Sequence, residues 1–219
     1  MKIATWNVER LKHYKDIEVI KSETARIDAD ILVLTETDDR LKPNYPFCFH
    51  TALLLNEETV RYKKTEKRVT VYSKYKCLAQ HKTCDDKTSL CIDLLTGKGV
   101  LTVYGTIMGI FGNRGHGFKE DIISQMGDIR MLCSEGNNVC VVGDYNLSFS
   151  DNYYFTHFGR VLVNTTFRDC GISILTREQK ECIDHIAVTT GFINGADVAV
   201  TEWNQDKKLS DHKGIMVEI

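Results

Sequence analysis

The chain has 219 residues, of which 42% are hydrophobic and 26% are charged, and its formal net charge at pH 7 is -2. This length and composition can fill one substantial hydrophobic core, so we expect a single domain over residues 1–219. The charge argues against a protein held to long duplex DNA by a strong overall positive field, although it leaves a local basic patch open.

The N-terminal sequence MKIATWNVERLKHYKD becomes charged before a signal-like apolar stretch can form. No apolar run approaches the roughly 18 residues of a membrane-spanning helix. We therefore expect a soluble, cytoplasmic protein that binds no membrane. The eight cysteines are scattered along the chain, which favours reduced thiols over a disulfide framework. Zinc bound by Cys77, Cys84, Cys91 and His81 is the alternative, but no CxxC pair supports it.

The N-terminal part of the chain alternates apolar runs with one helical period. Residues 2–6 predict a strand, and residues 14–27 predict a helix with its isoleucines on one face. Residues 31–34 predict a buried strand that ends at Thr35 and Glu36. Residues 38–46 contain charges and both prolines of the chain, which is typical of a loop.

The middle and C-terminal parts predict more strands than helices. Residues 68–73, 89–95 and 100–107 are strand candidates of an antiparallel section, with a turn at residues 96–99. Residues 118–133 have a helical apolar period. Further strands are predicted at residues 139–142, 183–189, 197–201 and 214–219. No repeat or linker marks a domain boundary, and this pattern indicates an α/β protein.

Polar residues recur where these apolar runs begin or end. They are Asn7, Glu36, Asp144 with Asn146, Asp184 with His185, and Asp211 with His212. Turn chemistry explains any one of them alone. Strand ends are also where α/β proteins assemble their sites, and the coincidence of all of them favours that interpretation.

Six motifs occur in order from residue 5 to residue 212. They are TWNVE (5–9), LTET (34–37), VYGT (103–106), GDYN (143–146), IDHI (183–186) and SDH (210–212). This set resembles the endonuclease/exonuclease/phosphatase family of Mg-dependent phosphoesterases. The resemblance implies a four-layer α/β sandwich of the DNase I-like kind, in which two mixed β-sheets pack face to face, helices lie outside, and the site lies at one edge between the sheets.

The resemblance also implies roles for individual residues. Mg²⁺, with Mn²⁺ as an alternative, prefers oxygen ligands and takes only one or two carboxylates from the protein. Glu36 is the expected metal ligand, and Asn7 and Asp211 complete the surroundings of the metal directly or through water. Glu9 is a weaker candidate, and Asn7 is also expected to bind phosphate.

The remaining roles concern in-line attack by water. Asp144 is expected to orient and deprotonate the water, and Asn146 to bind the phosphate or position the water. His212 is expected to contact the phosphate while Asp184 fixes its tautomer and charge. Tyr104 matches the family tyrosine that approaches the phosphate or the leaving group. His185 follows Asp184 in a strand and should face away from it, which favours a structural role.

One departure from the family pattern concerns residue 107. Family nucleases often have Asn or His three residues after the tyrosine, whereas this chain has Ile107. The glycine-flanked loop that contains Asn113, Arg114 and His116 is a candidate replacement, because a loop that enters a helix suits an anion. A simple turn and helix cap explains the same residues equally well.

The substrate class is less clearly indicated than the chemistry. A nuclease or DNA-repair phosphodiesterase is the first hypothesis, with a phosphomonoesterase, a small-molecule phosphodiesterase or a noncatalytic binding member as alternatives. Four basic residues beside Tyr62 fit a nucleic-acid backbone or a solvated surface: Lys63, Lys64, Lys67 and Arg68. Tyr153, Tyr154, Phe155 and Phe158 would stack on bases or pack a loop. We expect the partner to be nucleic acid or another phosphoester substrate, and the protein to be a monomer.

Overall fold

Two six-stranded β-sheets face each other in the computed structural model, which describes residues 1–12, 16–54, 62–110 and 115–219. The strands of these ranges are β1 (Lys2–Asn7), β2 (Ile31–Asp38), β3 (Phe47–His50), β4 (Glu66–Ser73), β5 (Cys77–His81), β6 (Ser89–Thr96), β7 (Gly99–Ile107), β8 (Val139–Asp144), β9 (Ile172–Ile174), β10 (Asp184–Thr189), β11 (Ala199–Trp203) and β12 (Gly214–Glu218). The helices are α1 (Ile17–Ile27), α2 (His116–Ser134), α3 (His157–Asp169) and α4 (Thr190–Ile193), and a 3-10 turn covers Glu9–Leu11.

Both sheets are mixed. The first sheet has the order β11-β12-β1-β2-β4-β3, and the second has the order β5-β6-β7-β8-β10-β9. In each sheet one central pair is parallel, β1 with β2 and β7 with β8, while the other neighbours are antiparallel. The carboxyl ends of β1, β2, β7 and β8 therefore become candidate positions for a site.

Three apolar clusters hold the layers together. Val33, Val103 and Val142 belong to the cluster between the two sheets. Ile20 of α1 packs in a cluster on the outer face of the first sheet, and Ile122 of α2 packs in another on the outer face of the second sheet. The layers are thus helix, sheet, sheet and helix, which confirms the predicted DNase I-like α/β sandwich.

Most predicted elements are present, and the structure adds several elements that the sequence did not indicate. The predicted helix 118–133 corresponds to α2, and the described part of the predicted helix 14–27 begins at Ile17. The short strands β3, β5 and β9 and the helix α3 were not predicted. The buried face of α3 is Gly159, Val163, Thr166 and Phe167, so it lacks the continuous apolar stripe that indicates a helix in a sequence.

The eight cysteines are free thiols. Within the described ranges, no group of three metal-ligating side chains includes Cys77, Cys84 or Cys91, and His81 instead pairs with Asp93 at 2.8 Å. A search of the same ranges finds no helix with the length and hydropathy needed to cross a membrane.

His185 is buried in the second sheet, where its ring packs edge-on against the rings of Tyr145 and Phe149. Its Nε2 donates to the Leu147 carbonyl oxygen, and its Nδ1 accepts from the Thr176 hydroxyl, both at 2.9 Å. The Thr176 oxygen already accepts the Ile186 N–H, so the neutral imidazole satisfies every partner. Burial lowers the pKa of His185 to about 4, and the structural role favoured by the sequence fits this position.

We expect His185 to contribute stability at neutral pH that is lost as the pH falls from 6.5 to about 4. In this window the unfolded chain binds a proton at residue 185 that the folded chain does not, so the contribution of this residue to the free energy of unfolding decreases by about 3 kcal/mol. Urea unfolding of the unaltered protein and of His185→Gln at several pH values isolates this contribution from that of other acids. The difference in stability between the two proteins should shrink as the pH falls, and a difference that does not change with pH would contradict the assignment.

Candidate active site

The predicted site residues converge where the two sheets meet at one edge. Asp144 ends β8 and lies opposite Asp184, which begins β10. On the first sheet, Asn7 ends β1 and pairs in register with Thr35, the residue before Glu36. The parallel pair β1–β2 thus brings Asn7 and Glu36 to the same edge, because parallel strands end together.

Two hydrogen bonds join the sheets at this edge. Asn7 Nδ2 donates to Asp144 Oδ2 at 3.2 Å, and His212 Nδ1 lies 2.6 Å from Asp184 Oδ2. Asn7, Asp144 and Asp184 are each at most 3% exposed. Residues separated by more than a hundred positions in the sequence therefore form one buried polar group.

The loop before β12 is fastened to the end of β1. The Ser210 hydroxyl donates to the Asn7 carbonyl oxygen at 2.6 Å and accepts the His212 N–H at 3.2 Å. The Asp211 N–H donates to Glu9 Oε2 at 2.9 Å. Glu9 therefore connects the two chain segments as well as adding an acid to the edge.

Backbone conformation places the GDYN residues. A Cβ on Gly143, whose φ is +140°, would lie 2.0 Å from the Thr106 carbonyl oxygen, so only glycine permits the close approach of β8 to β7. Asn146 has a left-handed φ of 51°, its N–H donates to Asp144 Oδ1 at 2.8 Å, and its Nδ2 donates to the Met108 carbonyl oxygen. Glu36 is left-handed too, with a φ of 47°, and such strain concentrates at functional sites.

Electrostatics divide the buried group into an acid and a charged imidazole. Burial raises the pKa of Asp144 above its ordinary value, and the neighbouring Asp184 acts in the same direction. Burial lowers the pKa of His212, but the carboxylates of Asp184 and Asp144 outweigh it and raise the value to about 10. His212 is therefore an imidazolium at neutral pH, with Nδ1 donating to Asp184 and Nε2 lying 3.5 Å from Asp211 Oδ1.

Oxygen ligands for a metal lie on the first-sheet side of this group. Among the described residues, no hydrogen bond or ion pair engages the Glu36 carboxylate, and the Asp211 side chain is 69% exposed. Asp211 Oδ1 lies 3.5 Å from His212 Nε2, so Glu36 is the less engaged of the two acids. Carboxylates and the Asn7 amide oxygen are the hard oxygen donors that Mg²⁺ and Mn²⁺ accept. The residues present therefore fit the predicted metal site.

Asp144, Asp184 and His212 also offer ligand atoms within 4.8 Å of one another. Asp184 Oδ2 contacts the imidazole, and both oxygens of Asp144 accept hydrogen bonds, from the Asn146 N–H and the Asn7 amide. An imidazolium repels a cation and offers it no lone pair. This cluster is better suited to proton transfer and phosphate binding than to holding a metal.

The position of Tyr104 contradicts the expectation that its hydroxyl faces the phosphate. Ile107, the register partner of Asp144, lies in the cluster between the sheets, whereas Tyr104 packs in the cluster under α2. Residues three apart in a strand face opposite sides. The Tyr104 hydroxyl donates to Asp128 at 2.8 Å, so it supports the contact between β7 and α2.

The candidate replacement loop is only partly described. Asn113 and Arg114 lie outside the described residues. His116 begins α2, and its side chain is 84% exposed and lies 3.1 Å from Glu120. No hydrogen bond within the described ranges connects His116 with the buried group, so the structure does not bring it together with the other site residues.

Asn204 is a site-positioning residue that the sequence motifs did not indicate. Its Nδ2 donates to the carbonyl oxygens of Ser210 and His212 at 2.8 and 2.7 Å, and its Oδ1 accepts the Leu209 N–H at 3.0 Å. Trp6 Nε1 donates to the same His212 carbonyl at 3.1 Å. The only sequence signal was an asparagine just after a predicted strand, which usually means a turn.

This fold and edge site define a class of two-sheet phosphoester-processing proteins, and the comparisons identify the family. The profile of the endonuclease/exonuclease/phosphatase family matches residues 4–212. The chain therefore belongs to the endonuclease/exonuclease/phosphatase family, whose members are hydrolases that act on phosphoester bonds. A comparison with curated proteins finds no match.

Several solved structures share the fold at low sequence identity. The 3′ phosphatase NExo from Neisseria, bound to a product DNA hairpin, is 17% identical with a TM-score of 0.72, and the match covers 100% of this chain and 99% of that one. An AP endonuclease from Archaeoglobus fulgidus is 13% identical with a TM-score of 0.71 and the same coverage. Humanised D. rerio TDP2 is 15% identical with a TM-score of 0.67, covering 99% and 97% of the two chains.

We expect Asn204→Ala to displace the His212 loop. Its three hydrogen bonds are lost, which leaves the Ser210 carbonyl and the Leu209 N–H without this partner and the His212 carbonyl with Trp6 alone. We expect a cost of about 1 to 3 kcal/mol in the free energy of unfolding. The ring resonances of His212 in NMR spectra should shift, and their titration should move toward neutral pH as the contact with Asp184 loosens.

Asn137→Ala is the matched control for this change. Asn137 bonds the Glu135 side chain at the surface, so its removal should alter neither quantity. If the His212 resonances and their titration were unchanged in Asn204→Ala, the positioning role would be ruled out.

Proposed function

We propose that this protein is a Mg²⁺-dependent hydrolase that cleaves phosphodiester bonds of nucleic acid by in-line attack of water. The observation that carries the proposal is the pair of hydrogen bonds across the sheets, Asn7 to Asp144 and His212 to Asp184. The groups joined by these bonds include a carboxyl group with a raised pKa, Asp144, and a charged imidazole, His212. Both lie at the sheet edge that also holds the proposed oxygen ligands of a cation. In-line phosphoryl chemistry needs this combination of a base, an anion-binding donor and charge neutralisation.

Glu36 and Asp211, with Asn7, would hold the divalent ion on the first-sheet side. Bound Mg²⁺, or Mn²⁺ in its place, neutralises charge on the phosphoryl oxygens. Lys12, whose pKa is raised by its bond to Glu9 and by the charges of Glu9 and Glu36, reduces the acid repulsion there. The ammonium of Lys12 contacts Glu9 at 2.9 Å and therefore leaves the Glu36 carboxylate available.

Asp144 is the residue that accepts a proton from the attacking water. Its Oδ1 is held by the Asn146 N–H and its Oδ2 by the Asn7 amide, so each oxygen keeps a lone pair for water in a fixed direction. The raised pKa of Asp144 moves its proton affinity toward that of a general base at neutral pH.

His212 binds the phosphate through Nε2. Nδ1 contacts Asp184 at 2.6 Å, which fixes the orientation of the imidazolium. Nε2 lies 3.5 Å from Asp211 Oδ1, a longer contact that a bound phosphate oxygen would replace. A donor preorganised in this way strengthens its hydrogen bond as charge grows on a nonbridging oxygen. Asp184 acts through His212 by keeping it charged and oriented.

Nucleic acid is the proposed substrate because of the relatives. The Neisseria structure holds a DNA hairpin, and the Archaeoglobus protein is described as an AP endonuclease. The description of the Neisseria protein as a 3′ phosphatase keeps a phosphomonoester as the second candidate. We further propose that residues 1–219 act as one domain, as a cytoplasmic monomer.

We expect Asp144→Asn and His212→Gln each to reduce kcat about a hundredfold to a thousandfold, the scale of losing one preorganised catalytic group. The measurement is turnover in Mg²⁺ or Mn²⁺ of single-stranded, duplex and abasic DNA, RNA, and simple phosphate monoesters and diesters. Asn164→Ala, on the exposed surface of α3, is the control. Absence of turnover with every substrate would contradict the proposed enzyme, and full activity in both variants would remove the assigned roles.

Glu36→Gln should weaken binding of the metal and leave the fold intact. The neutral amide is a poorer Mg²⁺ ligand, so the metal concentration for half-maximal activity should rise about tenfold or more. Isothermal calorimetry with Mn²⁺ tests the same point without turnover. Glu18→Gln, at the exposed start of α1, is the matched control, and equal Mn²⁺ affinity in both variants would disprove the ligand assignment.

A further inference from the structure

Four aromatic rings between β8 and the first turn of α3 each carry a cation. We call Phe149, Tyr153, Phe155 and Phe158 the aromatic ridge. The cation–centroid distances are 5.4 Å for Arg177 over Phe149, 4.1 Å for Lys207 over Tyr153, 3.7 Å for Arg160 over Phe155 and 5.5 Å for Lys119 over Phe158. Such pairs occur about once per 70–80 residues, so four along one short segment call for an explanation.

Two of the four rings fix the segment in place. Phe149 and Phe155 are partly buried against the cluster under α2 and α3. Arg160, above Phe155, also donates to the Ser148 hydroxyl and to the Asp151 carbonyl oxygen. These contacts hold the turn that precedes α3, so the remaining two rings are presented on a rigid support.

Tyr153 and Phe158 are the exposed rings, at 49% and 36%. The Lys207 ammonium lies over the Tyr153 ring and donates to its hydroxyl at 2.7 Å. Each exposed ring thus combines exposed aromatic surface with an adjacent positive charge, which are the two features that bind single-stranded nucleic acid.

The aromatic ridge is continuous with the candidate active site. It begins three residues after Asn146, and the Ser148 N–H donates to the Tyr154 carbonyl oxygen at 2.6 Å. Lys207 belongs to the loop that leads to Asp211 and His212, and its left-handed φ of 54° lies within the turn formed by Asn204. Because Lys207 bonds Tyr153, the loop that contains His212 contacts the aromatic ridge, and a strand bound at His212 could extend toward it.

The basic segment near Tyr62 is less suitable for the same task. Lys67 is buried and paired with Asp39, and Lys63 contacts Glu66 at 3.6 Å. Charges that are neutralised within the protein contribute little to binding a polyanion. The aromatic ridge is thus the better candidate for contacting a nucleic-acid strand.

We propose that Tyr153 and Phe158 stack on unpaired bases of the nucleic-acid substrate, with Lys207 and Lys119 contacting its phosphates. This inference rests on the proposed function and adds a preference for single-stranded or frayed segments. Stacking tolerates any base, but bases inside a duplex already stack on each other and do not expose their faces. The surface therefore selects strand state and not sequence.

The test uses the full chain with Asp144→Asn, so that the probe is bound and not cleaved. Fluorescence anisotropy measures Kd for a labelled oligothymidylate and for a blunt duplex of the same length. Tyr153→Ala and Phe158→Ala should each weaken binding of the single strand by about 5- to 100-fold. Tyr153→Phe, which keeps the ring, should stay within about twofold, as should Val161→Ala at an exposed position on α3.

The outcomes separate this inference from the proposed function. The inference about the ridge would be overturned if both alanine variants bound the single strand as tightly as the parent protein, or if the parent protein bound the duplex equally well. Turnover of a simple diester by the unaltered protein would still support the hydrolase in either case. Ridge-dependent binding in a protein that hydrolyses no phosphoester would support the surface and overturn the enzyme. Circular dichroism establishes that each variant is folded before its affinity is compared.

Discussion

The site depends on the burial of two carboxylates whose partners come from the opposite sheet. Asp144 and Asp184 belong to the second sheet, whereas Asn7 and His212 belong to the first sheet and its adjoining loop. A carboxylate that is buried without a partner is costly. The two sheets can therefore close over these acids only if Asn7 and His212 supply the hydrogen bonds that replace water, so packing of the sandwich and assembly of the site depend on each other.

The same constraint gives the two sides of the site different properties. On the second-sheet side, the carboxylates of Asp144 and Asp184 bond to other protein groups. These bonds fix the orientation of the side chains, and burial shifts the pKa of Asp144. On the first-sheet side, no hydrogen bond or ion pair among the described residues engages the Glu36 carboxylate, whereas Asp211 lies 3.5 Å from His212 Nε2. In the proposed mechanism Asp144 carries the proton and Glu36 the metal, so one carboxylate would not have to bind both.

Sequence reasoning succeeded where strand ends determine position, and it failed where side-chain direction matters. Asn7, Asp144 and Asp184 were predictable because strand ends of an α/β sandwich share an edge. Tyr104 was assigned from its motif, but the alternation along β7 turns it toward α2. Asn204 was missed because its role is three bonds to backbone atoms, for which a sequence has no periodic signature. The helix α3 was missed because glycine and threonine occupy part of its buried face.

The comparisons bear on why strand-end residues could be predicted and loop residues could not. Relatives of 13–17% identity cover nearly the whole chain, so the sandwich persists while most side chains change. A fold conserved to that degree constrains the edge where both sheets contribute, whereas loops outside the edge are free to vary. The segment from Phe149 to Phe158 and the loop from Asn204 to Asp211 lie outside the two sheets. Lys207 bonds Tyr153, and Asn204 bonds the His212 carbonyl, so the second segment joins the first to the buried group.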